Sequence, residues 1–129
     1  MRRHKRSILT QETAVSYGKF LASRYRNKPV LFILGGDWYP DKVEDLMRAM
    51  VAGIGEGDGG AHLKTYHPTG IQSSSTWFHN DPWLDFNMVQ SRHMILNRTY
   101  DLIKTDWDRT PKPVVEGESV YEGIQDDLV

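Results

Sequence analysis

The chain has 129 residues, 39% of them hydrophobic, which is enough for one ordinary domain with its own core. Its 16 basic and 17 acidic residues nearly cancel, which excludes a charge-driven case for nucleic acid or an anionic membrane as the main partner. It contains no cysteine, so disulfides, thiol catalysis and thiolate metal sites are excluded and the redox compartment stays open.

Four of the basic residues stand in the opening MRRHKR, leaving 12 basic against 17 acidic in the remainder. Residues 1–9 read as a solvated basic tail and residues 10–129 as the domain. No apolar segment after the tail would serve as a signal-peptide core, and no run approaches the roughly 18 apolar residues of a membrane span.

Thr10 is a helix N-cap, followed on one face by Ala14, Tyr17, Leu21 and Tyr25, with an end near Asn27-Lys28-Pro29. Val30–Leu34 is a continuous apolar run, which predicts a strand covered on both sides. Asp41 is expected to cap a second helix with Glu44 at its third position. Val43, Leu46, Met47, Met50, Val51 and Ile54 would form the buried stripe of that helix, and the glycine-rich GIGEGDGG would close it as a loop. That run contains G-x-G-x-x-G, but after a helix instead of between a strand and a helix, so the dinucleotide reading lacks its context.

His62–His67 reads as a second strand stopped by Pro68, and the polar loop TGIQSSS leads to an aromatic segment, TWFHNDPW, with room for a helical turn. Leu84–Met88 alternates as a third strand, with QSRH in the loop after it. Leu96, Tyr100, Ile103 and Trp107 carry helical spacing, and Lys112–Glu118 supplies a fourth strand. Alternation of this kind predicts an α/β fold with right-handed βαβ units and a parallel sheet.

Parallel α/β folds hold their ligands at the carboxyl ends of their strands. Those ends here are Gly35-Gly36-Asp37-Trp38; Tyr66-His67-Pro68; Asn87, Gln90 and His93; and Glu116-Gly117-Glu118 with Tyr121-Glu122. Carboxylates from different strands among aromatic and amide groups suit a sugar site. Glycoside hydrolysis needs one carboxyl group to donate a proton and one to attack or to activate water. Aromatic faces stack on sugar rings, and Trp38 would be such a platform or an apolar wall beside Asp37. A divalent metal held by Asp37 with His67, His79 and His93 is the rival, although no HxH or HExxH pattern is present. Ser73, Ser74 and Ser75 stand in no G-x-S-x-G elbow. Asn97-Arg98-Thr99 matches a glycosylation sequon.

FILGGD, then KTYHPTGIQSSSTWFHNDPWLDFNMVQSRH, then TPKPVVEGESVYEG resemble segments of the apiosidase-like glycoside hydrolases, from about Pro29 to Gly123. The resemblance implies a (β/α)8 TIM barrel of which this chain holds strands four to seven with their helices. It implies hydrolysis of O-glycosidic bonds of pectic plant cell-wall glycans, without a cofactor or metal. Asp37 would be the acid/base and Glu118 the nucleophile, with Glu116 as a competitor because it shares a strand face with Glu118. Trp38, His67, Trp77, Phe78, Asn87, Gln90, His93, Tyr121 and Glu122 would line the pocket. The chain departs from the family pattern at Ser119, where a proline follows the GE, and at Arg92, where QSxH carries a glycine. A full barrel takes about 250 residues, so the expectation is a truncated domain that is inactive alone and self-associates, or else associates with the missing half-barrel. Its partner would be carbohydrate, with no nucleic acid or membrane, and the full-length parent would be periplasmic or extracellular. A non-catalytic, sugar-binding remnant is the alternative.

Overall fold

The computed structural model describes residues 9–91, 97–109 and 111–119. They fall into two compact units, the first within Met1–Val30 and Asp41–His62, the second within Leu31–Pro40 and Leu63–Val129.

The first unit is a pair of helices, α1 (Gln11–Tyr25) and α2 (Glu44–Asp58). Thr10 caps α1 through a capping box in which its hydroxyl accepts from Thr13 N and its own N–H donates to Thr13 Oγ1 at 2.8 Å. The buried face is Ala14, Gly18 and Ala22, while Tyr17 and Tyr25 are exposed, contrary to the expected aromatic stripe. The cause is how closely the two backbones approach. A Cβ on Gly53 would lie 2.0 Å from the Val15 carbonyl oxygen, one on Gly57 2.5 Å from that of Lys19, and one on Gly18 2.3 Å from that of Met50. Small residues four apart on both helices make a seam too narrow for a ring. GIGEGDGG is therefore mostly helix: α2 runs through Gly53, Gly55 and Gly57 to Asp58 and ends on Gly59 at φ 72°, whose N–H donates to Gly55 O. Its N-cap is Val43, without a side-chain cap bond, so the expected Asp41 cap is corrected by two residues.

The second unit contains β1 (Phe32–Gly35), β2 (Lys64–His67), β3 (Gln72–Ser73), α3 (Ser75–Phe78), β4 (Asn87–Gln90), α4 (Asn97–Trp107) and β5 (Val114–Glu118). β1 pairs in parallel with β2, Phe32 opposite Lys64 and Gly35 opposite His67. β4 pairs in parallel with β5 and antiparallel with the two-residue β3. β2 meets the approach to β4 through Thr65 Oγ1 donating to Phe86 O, Asp85 N donating to Lys64 O, and Lys64 N donating to Asp85 Oδ2. The strands form two sheets instead of the single expected one, β1-β2 and β3-β4-β5, and these bonds set the succession β1, β2, β4, β5, with Leu34, Tyr66, Phe78, Leu84, Phe86, Met88 and Val89 in the core.

Continuous burial holds for β4, all four of whose residues are buried. It fails for β1: Leu34 is buried, but Ile33 next to it is 49% exposed. The expected cover on both sides of β1 is thus corrected to one. β3 lies inside the predicted polar loop, where the serines are structural. Ser73 and Ser75 donate to the buried carboxylate of Asp106 on α4, and Ser74 Oγ accepts from Met88 N. Burial of Asp106 turns the predicted apolar stripe of α4 outward, leaving Tyr100 and Trp107 exposed. On that outer face Lys104 has its pKa raised, by its hydrogen bond to Asp108 first and by that residue's charge second.

Candidate active site

β1 ends in three successive residues with positive φ, Gly35 at 83°, Gly36 at 124° and Asp37 at 52°. A side chain at Gly35 is impossible without movement, because its Cβ would fall 2.5 Å from the Tyr66 ring and 2.7 Å from His67 O. The turn is tied to β2 at two further points: Gly36 N donates to His67 O, and the Tyr66 hydroxyl donates to Trp38 O at 2.9 Å. Asp37 is a non-glycine residue in the left-handed region, a conformation that costs free energy and is held here by those neighbours.

Gln90, at the end of β4, meets the carboxylate of Glu118 on the adjacent β5 and that of Asp37 in the turn after β1. Its Nε2 lies 2.7 Å from Asp37 Oδ1 and 2.7 Å from Glu118 Oε2. His67 at the end of β2 places Nε2 3.4 Å from Glu118 Oε2 and Nδ1 3.0 Å from Pro68 O. A carbonyl only accepts, so Nδ1 carries a proton and Nε2 is the nitrogen left to meet Glu118. Asp37, His67 and Glu118 each offer one donor atom, and these atoms lie within 4.8 Å of one another. Such an O, N, O set is also one that a divalent cation could use.

Glu116 and Glu118 are separated by a register shift. Opposite them on β4, Val89 pairs with Glu116 but Gln90 pairs with Glu118, so Gly117 is one extra residue in β5. Successive residues of β4 face opposite ways, so Glu118 is aligned with the face of Gln90 and Glu116 with that of Val89. Glu116 Oε1 accepts from Ser91 N at 3.3 Å and from Glu118 N at 3.1 Å, which braces the bulge, while its Oε2 is buried without a hydrogen-bond partner.

Other expected residues distribute differently. Trp38 is 76% exposed, open to a ligand and not a wall. Trp77 is half-buried, edge-on to Tyr39 and Tyr66. Phe78 is fully buried against Tyr66 and Trp83, which corrects its expected place in the pocket. Asn87 opens β4 instead of closing it, because the strand begins three residues later than predicted, and its buried amide contacts His79 Nδ1. Strand alternation puts it on the face opposite Gln90, a second correction. His79 meets Asn87 there through Nδ1 while its Nε2 is buried without a hydrogen-bond partner, and it is not in the group formed by Asp37, His67 and Glu118. His93, Tyr121 and Glu122 lie outside the described residues. Sequence reasoning missed Tyr66, whose hydroxyl and ring hold the Asp37 turn; its only signal was its place one residue before His67.

Two close carboxylates, one just past the carboxyl end of β1 and one at that of β5, with an exposed tryptophan beside the first, are an arrangement of the kind that glycoside hydrolysis uses. The apiosidase-like catalytic domain family model matches residues 1–129. The chain belongs to that family. It is similar to a glycoside hydrolase family 5 protein from Bacteroides vulgatus, at 36% identity and a TM-score of 0.80 over 88% of this chain and 27% of that one. It is also similar to a structure described as a glycoside hydrolase, at 34% identity and a TM-score of 0.80 over 92% of this chain and 31% of that one. No curated protein matches. The chain thus spans about a third or less of the length of these solved structures.

Proposed function

We propose that Asp37 and Glu118 are the acid/base and the nucleophile of a retaining glycosidase acting on O-glycosidic bonds of pectic plant cell-wall glycans. The observation that carries the reading is the gap between them: carboxylate oxygens delivered by β1 and β5 lie within 4.8 Å. Retaining enzymes hold the two groups about 5–5.5 Å apart, whereas inverting ones leave roughly 6.5–9.5 Å for a water. In this reading Asp37 gives its proton to the leaving oxygen while Glu118 attacks the anomeric carbon. Water, deprotonated by Asp37, then releases the sugar from Glu118. Trp38, exposed beside the acid, is the sugar platform. The succession β1, β2, β4, β5 corresponds in this reading to strands four to seven of a (β/α)8 barrel, where active sites occupy the carboxyl face.

Release of sugar from pectic oligosaccharides by the full-length parent, since the chain alone is expected to be inactive, tests the assignment. Asp37→Asn and Glu118→Gln are each expected to lower turnover by at least about 100-fold, and the first-formed sugar should keep its anomeric configuration. Turnover unchanged in both variants overturns the roles.

The Asp37, His67 and Glu118 donor atoms support a second reading, metal-dependent hydrolysis. Against it, the Gln90 N–H groups point at both carboxylates, where a cation would sit. Metal analysis of the purified protein, with activity before and after chelation, separates the two.

A further inference from the structure

Gln90 is 4% exposed, and its amide is unevenly used. Both acceptors of Nε2 are carboxylate oxygens at 2.7 Å, and an amide nitrogen has two hydrogens, one for each. The other amide atom, Oε1, is buried and has no hydrogen-bond partner. Exchanging the two amide atoms would press an oxygen against two carboxylate oxygens, so the electrostatics fix the nitrogen where it is. With both carboxylates in place, no N–H remains for a sugar hydroxyl, and the oxygen is shut away from any ligand. A buried oxygen without a partner costs stability, and an apolar side chain of similar volume would avoid that cost. The side chain is therefore kept for what its nitrogen does.

We infer that Gln90 is a positioning residue that spaces Asp37 and Glu118 through one bridging amide, and that it does not bind the sugar. The inference deepens the glycosidase reading and rests on it for its catalytic consequence, while the bridge itself stands on geometry alone. One N–H to each carboxylate holds the pair closer than two like charges would settle unaided. The same amide can serve Asp37 with or without its proton, because a protonated carboxyl group still offers an accepting oxygen.

The bridge is tested by NMR of the 15N-labelled full chain, with the Gln90 side-chain NH2 pair identified by its loss in Gln90→Leu. Two downfield-shifted protons are expected, one returning to the free-amide position in Asp37→Ala and the other in Glu118→Ala. Resonances that ignore both substitutions overturn the proposal, whether or not the chain turns over substrate. In the turnover assay Gln90→Leu should lower kcat by about 100-fold, with KM changed less than about twofold, the loss expected for misplaced reacting groups. A raised KM with kcat unchanged would make Gln90 a sugar ligand and overturn the inference. Failure of the glycosidase reading looks different: Asp37→Asn and Glu118→Gln would leave turnover intact while the amide signature persisted.

Discussion

Gly35 shows how one residue can decide the fate of a site. Its φ of 83° favours glycine, and the volume a side chain would need is already filled by the Tyr66 ring. Space beside Asp37 for a ligand is thus left by Gly36, whose absent Cβ has nothing within 4 Å, and not by Gly35. Gly35→Ala is expected to cost about 2–6 kcal/mol, the sum of backbone strain and overpacking. It should also loosen the turn that presents Asp37. A fall in the midpoint of denaturant unfolding checks this, and Gly36→Ala, strained at φ 124° but with nothing within 4 Å to overpack, separates the two causes. That Asp37, Glu118 and Gln90 gather at strand ends was legible in the sequence, because a polar residue at the end of a strand has few structural reasons to be there; the roles given to them came from the resemblance. Asn87 was misplaced because a three-residue error in where β4 begins turns a strand end into a strand start, and Phe78 because α3 turns its ring into the core against Tyr66 and Trp83. The role of Tyr66 was hidden, since nothing in a strand residue's type announces which turn its hydroxyl will reach.

At the scale of elements, the helices and parallel strands could be read from periodicity, but which face each helix buries could not. In α1 and α2 the seam is made by Ala14, Gly18 and Ala22 against Gly53 and Gly57, so the apolar moment that large residues would set is overruled by how closely two backbones can approach. In α4 a single buried carboxylate, Asp106, outweighs Tyr100 and Trp107, because two serine hydroxyls compensate its burial. Gly53→Val is expected to force the helices apart, at a cost of about 1–3 kcal/mol or more. Gly55→Ala, with nothing within 4 Å of the added carbon, should be neutral or slightly stabilising. Thermal melts followed by helical circular dichroism distinguish the two.

For the whole molecule the outer surfaces carry the prediction. β1 has β2 as its only strand neighbour and β5 has only β4, so each presents an unpaired edge among the described residues. Ile33 on β1 is exposed, as is Leu63 just before β2, and Tyr100 and Trp107 on α4 are also uncovered. Open strand edges with apolar neighbours recruit other strands. The chain on its own is expected to self-associate at micromolar concentration, seen as species heavier than 14.9 kDa in sedimentation velocity. Ile33→Lys should shift the distribution toward the monomer. A wild-type chain that stays monomeric and melts cooperatively would show that these surfaces are tolerated as they stand.

The extra residue at Gly117 bears on how such sites are lost. Parity along β5 sorts two nearly adjacent glutamates, sending Glu118 to the side of Gln90 and Glu116 to the side of Val89. Counting, and not chemistry, separates the two acids. A copy of this strand in which Gly117 paired with Gln90 as an ordinary residue would keep every side chain and yet carry Glu118 off the face of Gln90. Substitutions at Gly117, whose Cβ would fall 2.7 Å from Met88 Sδ, would therefore disturb the site without touching either glutamate, and a survey of the acids alone would overlook them.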